Sequence, residues 1–123
     1  MKFHKELMAG LLLTSTLVQA QEVPKDQWVS AMKDILPTAF CNADAYFRQC
    51  FKVDAVKCEE VAVSATRNCL DKYDSQIPAS LSQPQDGTRW GTAVGQCAGE
   101  AYEVTLMDKR TSTAKCNDPA QWQ

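Results

Sequence analysis

The chain has 123 residues, a formal net charge of −2, a pI of about 5.3, six cysteines and one histidine. This acidic balance argues against nucleic acid as a partner, because nucleic-acid binding favours a basic surface. The histidine, His4, falls in a targeting segment, so the rest of the chain cannot supply an imidazole for catalysis or for a histidine-containing metal site. We therefore expect no enzymatic activity, no metal and no cofactor.

The first part of the chain has the composition of an export signal. Lys2 and Lys5 precede an apolar stretch over residues 7–18, and Val18-Gln19-Ala20 matches a small-x-small cleavage site. The apolar stretch, about twelve residues, is too short to anchor the chain in a bilayer. The sequence therefore predicts a cleaved signal peptide over 1–20, a single disulfide-rich domain over 21–123, and a periplasmic or secreted location of the bacterial kind.

After the export signal, the sequence pattern predicts two helices. Apolar residues from Trp28 to Ile35 recur at helical spacing, and Pro37 is expected to end this first helix. Asn42 is a suitable N-cap for the second helix. The apolar face of the second helix would consist of Ala43, Tyr46, Phe47, Cys50 and Phe51.

Two longer helices are predicted further along, separated by a loop. The third is expected over about 54–73, with an apolar stripe formed by Ala55, Cys58, Ala62, Ala65, Cys69 and Tyr73. Residues 75–87 are rich in Pro, Ser and Gln and are expected to form no regular element. The fourth helix is expected to start at 88–90 and to continue to about Lys109, with a core face of Trp90, Val94, Cys97, Ala101 and Val104. Residues 117–119 are expected to end the ordered chain.

An even number of cysteines in a small exported chain predicts disulfides, here three. If the second and third helices form an antiparallel hairpin that turns near residues 52–54, facing residues have numbers that sum to roughly 107. Cys50 with Cys58 and Cys41 with Cys69 come close to this sum. We therefore expect these two bridges to cross-link the hairpin.

This arrangement resembles the twin C-x9-C helical hairpin family in shape, with the inner cysteines paired to each other and the outer ones likewise. The spacings here are C-x8-C and C-x10-C, and the resemblance covers about thirty residues. The two cysteines that remain, Cys97 and Cys116, would form the third bridge and tie the tail to the fourth helix.

Three glycines four residues apart line one ridge of the fourth predicted helix. Each costs about 1 kcal/mol relative to Ala, so another group is expected to approach this backbone closely. That group is either a helix of the same domain or, in a shallow groove, a partner or a second copy of the chain. In the same way, Trp90 is either a core residue or, with Arg89, an interface anchor. The candidate partner-binding set is Gln83, Gln85, Arg89, Trp90, Gly91, Gly95 and Gly99.

A basic group is predicted near the tip of the hairpin. Arg48, Lys52 and Lys57 gather there beside Phe47 and Phe51, which are expected to face the core. The three cations can contact an anionic headgroup or an acidic protein, or they can simply be solvated.

Carboxylates are the side chains left for acid–base chemistry. Glu100 and Glu103 share one side of the fourth helix, as Asp71 and Asp74 do on the third. Because both pairs stand among ordinary polar residues, we expect them to be solvated surface.

The sequence thus predicts an all-α fold, a compact bundle of about four short helices with a disulfide-stapled helical hairpin. We expect an exported, non-enzymatic binding protein, such as an inhibitor, an immunity factor or a secreted host-interaction factor. It would present a rigid helical surface to a macromolecule, most simply another protein, with lipid or membrane-surface contact as a further option. The alternatives are a small carrier of lipid or another apolar ligand and a carboxylate-dependent cell-wall hydrolase that uses Glu100 and Glu103.

Overall fold

A computed structural model describes residues 21–123, so the predicted signal peptide over 1–20 lies outside the described residues. The described part of the chain forms four α-helices, two short strands and two 3-10 turns. The strands are β1 (Gln21–Pro24) and β2 (Ser80–Gln83), and the helices are α1 (Lys25–Phe40), α2 (Tyr46–Gln49), α3 (Ala55–Tyr73) and α4 (Gln85–Thr105). The 3-10 turns are Met107–Lys109 and Pro119–Trp122. The predicted helical fold is confirmed, with the addition of a small sheet.

The sequence predicted α3 most closely. Asp54 caps this helix, since its carboxylate accepts a hydrogen bond from the backbone N–H of Lys57 at 2.8 Å. Much of the predicted apolar stripe is buried: Cys58, Ala62, Ala65 and Cys69. The stripe faces both long neighbours of α3, so this helix lies at the centre of the bundle.

The three long helices run in alternating directions. Along α1 and α4 the contacts advance together, with Met32 beside Gly91 and Leu36 beside Gly95, so these two helices are parallel. Contacts between α3 and α4 run the opposite way: the ring centroids of Tyr73 and Trp90 lie 6.0 Å apart near one end, whereas Cys58 meets Tyr102 near the other. The core between the helices is centred on fully buried Tyr102, Leu81 and Val94.

A two-stranded sheet closes one side of the bundle. β1 and β2 pair antiparallel, with Gln21 opposite Gln83 and Pro24 opposite Ser80. The expectation of no regular element over 75–87 was therefore wrong, because four-residue strands are too short to show an alternating pattern. Each strand has one position that cannot donate a backbone hydrogen bond to a further strand. In β1 this is Pro24, which has no N–H. In β2 it is Ser82, because its N–H donates to the Asp86 carboxylate at 2.8 Å.

The first two predicted helices differ from those observed. α1 continues past Pro37 to Phe40 and ends with a hydrogen bond from the N–H of Cys41 to the carbonyl of Pro37 at 3.0 Å. The second helix is a single turn, α2. Its predicted cap, Asn42, accepts instead from the N–H of Asp44 at 3.0 Å, a local turn that competes with a helix start.

The bounds and the core face of α4 were also predicted only in part. The helix starts at Gln85, ends at Thr105 and is followed by the 3-10 turn at Met107–Lys109. Trp90 and Val94 are buried as expected, but the buried face continues through Ala98 and Tyr102, and Val104 is 66 % exposed. Within residues 21–123, none of the helices has the length and apolar character needed to cross a membrane.

All six cysteines are oxidised, which confirms that there are three disulfides, but every predicted pairing was wrong. The bridges are Cys41–Cys58, Cys50–Cys116 and Cys69–Cys97. The pairs that the sequence suggested are Cys41–Cys69, Cys50–Cys58 and Cys97–Cys116.

The cause of the wrong pairings is the length of α2. The predicted hairpin requires a helix long enough to lie along α3, and one turn cannot do so. Cys41 instead sits at the end of α1, next to the start of α3, while the residues that follow α4 return to Cys50. The Cys69 side chain faces α4 and bonds Cys97 there.

Candidate functional site

The C-terminal tail, residues 111–123, is fixed against the loop around α2. Phe51 and Arg110 form an antiparallel bridge, and the N–H of Thr111 donates to the carbonyl of Cys50 at 2.8 Å. The Cys50–Cys116 disulfide adds a covalent link. The expectation that the ordered chain ends at 117–119 was wrong, because Asp118 caps the turn Pro119–Trp122 by accepting from the N–H of Ala120 at 3.1 Å.

This tail places Trp122 on the surface as a partly exposed aromatic side chain. Its indole N–H donates to the carbonyl of Lys115 at 3.1 Å. Its ring meets the ring of Tyr46 edge-on with centroids 5.6 Å apart, and the Lys115 ammonium lies 4.8 Å from the Trp122 centroid. The orientation of Trp122 is therefore set by three contacts, while part of its apolar surface remains free.

Two open clefts lie on either side of Trp122. One has a volume of about 420 Å³ and is lined by Tyr46, Arg110, Cys116, Asn117, Pro119 and Trp122. The other has a volume of about 400 Å³ and shares Tyr46 and Trp122 with the first; its remaining lining residues are Ala39, Phe40, Asp44, Ala45, Phe47, Gln121 and Gln123. We refer to Tyr46, Trp122 and these two clefts as the Trp122 surface.

Tyr46, part of this surface, is held by hydrogen bonds to Glu103 and Arg110. The Tyr46 hydroxyl donates to the Glu103 carboxylate at 2.6 Å and accepts from Nε of Arg110 at 3.1 Å. Burial raises the pKa of Tyr46 above its usual value, and the hydrogen bond to Glu103 acts in the same direction. The phenol is therefore neutral near pH 7 and acts as a hydrogen-bond donor, which suits positioning rather than nucleophilic attack.

Arg110 is committed to holding the tail. Besides Tyr46, its guanidinium donates to the carbonyl of Cys116 at 2.9 Å and to the carbonyl of Thr111. It also lies 5.3 Å from the Tyr46 centroid and 5.8 Å from that of Phe51. Arg110 therefore connects the tail to the aromatic rings of Tyr46 and Phe51.

The sequence-predicted loop site is only partly exposed. Gln83 is half-buried at the end of β2, and Gln85 and Arg89 are exposed on the first turns of α4. Trp90 is only 7 % exposed and packs against Tyr73, so the core alternative is the one observed. The Arg89 guanidinium lies 5.1 Å from the Trp90 centroid and covers this ring.

The glycine ridge packs inside the domain. A Cβ at Gly91 or Gly95 would lie 4.0 Å from Cε of Met32 or 3.9 Å from Cδ2 of Leu36, respectively. At Gly99 a Cβ would come within 3.2 Å of Cζ of Phe47. Side chains of the bundle itself thus occupy the groove above the ridge, which corresponds to the packing alternative rather than to a partner site.

The predicted basic residues have different surroundings. Arg48 is half-buried and donates to the carbonyl of Cys41 at 3.3 Å, near the end of α1. Lys52 and Lys57 are exposed. Of the two phenylalanines expected in the core, Phe51 is buried and Phe47 is half-buried.

Of the carboxylates proposed for acid–base work, two have partners. Glu103 accepts from Tyr46, as described above, and Asp74 forms an ion pair with Lys25 at 3.1 Å. Glu100 and Asp71 are exposed. In the described part of the chain, no three His, Cys, Asp or Glu side chains come together as a metal site would require.

Sequence reasoning missed Trp122, Arg110 and Lys115. One local signal was available, since Asp followed by Pro favours the start of a helical turn, and here it precedes Trp122 by a few residues. No local pattern indicates that the tail returns to Tyr46, because that depends on the pairing of Cys50 with Cys116.

In a comparison with known families, the model described as T2SS substrate NttA matches residues 22–110. The matched span contains Tyr46, Glu103 and Arg110 but stops before Cys116 and Trp122. Neither a curated protein nor a solved structure matches the chain.

Proposed function

Since the chain belongs to the family of the T2SS substrate NttA and is therefore a secreted protein, we propose that it is a non-enzymatic binding protein that acts outside the cell. Its partner is another protein, which docks on the Trp122 surface. The observation that carries this proposal is a Trp side chain held in a fixed orientation between two open clefts.

The chemistry of the Trp122 surface favours recognition. Tryptophan, tyrosine and arginine are the residues most enriched among the side chains that dominate protein interfaces. A fixed aromatic ring loses little conformational entropy on binding, because its rotamer is already selected. Here the indole N–H of Trp122 already donates to the carbonyl of Lys115, so a partner can cover this ring without leaving the N–H buried and unpaired.

Three disulfides favour the same role. Two of them link the loop around α2 to α3 and to the tail, so the two sides of each cleft are held together covalently, and the third links α3 to α4. A preorganised surface binds more tightly than a mobile one of the same area. The groups that could react are engaged within the protein: the Tyr46 hydroxyl with Glu103, and Arg110 with backbone carbonyls.

The proposal can be tested by capture with the oxidised protein, residues 21–123, immobilised and exposed to lysates of candidate target cells. Trp122→Ala should weaken retention of a specific protein about 30-fold, since removal of a dominant interface residue costs about 2 kcal/mol or more. Trp122→Phe, which keeps a ring, should retain most of the binding. Arg89→Ala is the matched control, because it alters an exposed side chain of the other candidate surface.

Retention that is lost in Arg89→Ala and kept in Trp122→Ala would move the binding site to the start of α4. If no protein is retained more strongly by the unmodified chain than by Trp122→Ala, the proposed role of this surface is wrong.

A further inference from the structure

The outer side of α3 is not covered by any other element of residues 21–123. An open cleft with a volume of about 500 Å³ lies along it, and every residue that lines this cleft belongs to α3. The middle turns of α3 bear six of these residues, and all of them except the half-buried Val63 are exposed. These six, which we call the α3 face, are Glu59, Glu60, Val63, Ser64, Arg67 and Asn68. The α3 face is therefore open to a partner.

The charges of the α3 face are separated along the helix. Glu59 and Glu60 lie toward the start of α3, and Arg67 lies about two turns further on, on the same side as Glu60. Glu60 and Arg67 do not pair with each other, since the ion pair observed among residues 21–123 joins Lys25 to Asp74. The Glu60 carboxylate and the Arg67 guanidinium thus remain available to groups outside the chain.

This separation makes the α3 face complementary to a second copy of itself. When two copies of α3 pack antiparallel about a twofold axis between residues 63 and 64, Glu60 lies opposite Arg67 of the second copy. Because a twofold interface repeats every contact, this gives two ion pairs. The same symmetry places Glu59 opposite Asn68, whose side-chain amide can donate to a carboxylate.

The charges that flank the α3 face fit the same arrangement. Lys57 precedes it and Asp71 follows it, and both are exposed. In the antiparallel pair the residue opposite Lys57 is Leu70, so Lys57 comes next to Asp71 of the second copy. The order of charge along the exposed side of α3 is thus base, acid, base, acid, and it has the opposite signs when it is reversed.

Other arrangements of two α3 helices bring like charges together. In a parallel pair each residue of the α3 face meets its own copy, so Glu60 faces Glu60. An antiparallel pair whose axis is moved by one turn of the helix places either Glu60 opposite Glu60 or Arg67 opposite Arg67, depending on the direction. Since like charges that face each other are disfavoured, the charges of the α3 face select one direction and one register.

Small side chains at the centre let the two helices approach closely. Val63 and Ser64 face each other across the axis, and neither prevents the interaxial distance of about 8–10 Å that is usual for packed helices. Val56 is 70 % exposed and lies two turns before Val63 on the same side of α3, so the end of the second copy's helix covers it. Because removing an aliphatic side chain from water is favourable, apolar contact supports the same arrangement as the charges.

We propose that two copies of the protein associate through the α3 face as an antiparallel, twofold-symmetric dimer. One helix from each copy buries less than the roughly 1,200 Å² of a stable interface, and exposed ion pairs are screened by salt. The dimer is therefore weak and forms at protein concentrations of about 100 μM or more in low salt.

The test is sedimentation velocity of the oxidised protein, residues 21–123, from about 10 μM to about 1 mM in low salt. The sedimentation coefficient should rise with concentration, and added salt should suppress this rise. Glu60→Arg and Arg67→Glu should each weaken association about 30-fold, because each turns two attractive pairs into two repulsive ones. An equimolar mixture of the two variants should associate again. In a dimer of one variant with the other, the introduced arginine faces the introduced glutamate, and the native Arg67 faces the native Glu60.

The matched controls are Asp34→Arg and Lys33→Glu, which change the net charge by the same amounts at exposed positions of α1. Each should associate like the unmodified protein. A sedimentation coefficient that stays constant over this concentration range for the unmodified protein would overturn the proposal. So would a Glu60→Arg or Arg67→Glu variant that associates as well as the controls, or a mixture of these two variants that stays monomeric.

The α3 face has no residue in common with the Trp122 surface. Glu60→Arg should therefore still capture a protein partner, and Trp122→Ala should still associate with itself. The two proposals can fail independently.

Discussion

Gly95→Ala is expected to stabilise the protein, although Gly95 lies on the ridge that packs against α1. Alanine in a helix interior is favoured over glycine by about 1 kcal/mol. The added methyl group would lie 3.9 Å from Cδ2 of Leu36, an ordinary van der Waals contact. We therefore expect the free energy of unfolding to rise by about 1 kcal/mol.

Gly99→Ala provides the contrasting case on the same ridge. Its methyl group would lie 3.2 Å from Cζ of Phe47. That ring cannot easily move away, because it is stacked on Phe40 at 4.2 Å between centroids and meets Tyr102 at 4.9 Å. The strain of displacing packed rings offsets or exceeds the gain in helix propensity, since overpacking typically costs about 1–3 kcal/mol. Gly99→Ala should therefore be neutral or destabilising.

The assay is urea unfolding of the oxidised proteins, followed by circular dichroism at 222 nm. With a denaturant dependence of about 2 kcal/mol/M, Gly95→Ala should raise the midpoint by about 0.5 M. Gly99→Ala should leave it unchanged or lower it. A Gly99→Ala variant as stable as Gly95→Ala, or a destabilised Gly95→Ala, would refute the packing of the ridge against α1 described above.

Two further predictions concern the cross-links and the buried phenol. Removal of Cys50–Cys116, which closes a loop of 66 residues, should cost about 4 kcal/mol, against about 3 kcal/mol for Cys41–Cys58 with its separation of 17, when each pair is replaced by alanine. Urea midpoints in the reverse order would contradict this entropic ranking. Burial raises the pKa of Tyr102, so the folded state holds the phenol proton more tightly than the unfolded state does. The contribution of this proton to the free energy of unfolding is complete below about pH 10 and is lost as the pH rises through the folded pKa. Tyr102→Phe should therefore lose less stability than the unmodified protein between pH 9 and pH 11; an equal loss would exclude a contribution from this hydroxyl.

Features set by neighbouring residues could be predicted from the sequence. The recurrence of small apolar residues predicted α3, because helical periodicity acts over a few turns, and the cap at Asp54 lies at the predicted start of this helix. The buried Trp90 and Val94 followed from the same reasoning. The prediction lost accuracy along α4, where a pattern of Ala and Cys fits more than one helix face and the buried side proved to run through Tyr102.

Features that depend on distant partners could not be predicted in this way. The disulfide pairing failed at α2, because its single turn is too short to lie along α3, and Cys41 stays at the end of α1, where it faces Cys58 rather than Cys69. The Trp122 surface exists because the tail returns to Cys50, a contact 66 residues apart in sequence. No local pattern carries information about such a closure.

The three bridges also determine what a protease can remove. Every peptide bond between Cys41 and Cys116 is spanned by at least one bridge, because Cys41–Cys58 overlaps Cys50–Cys116 and the latter encloses Cys69–Cys97. A single cut in that interval therefore leaves one connected molecule and releases no fragment. Only the seven residues after Cys116 and the segment before Cys41, which includes β1 and α1, can be severed, and α1 then depends on its packing against α3, the sheet and the glycines of α4 to stay in place. For a secreted protein, a single peptidase cut in most of the chain would thus leave the molecule in one piece.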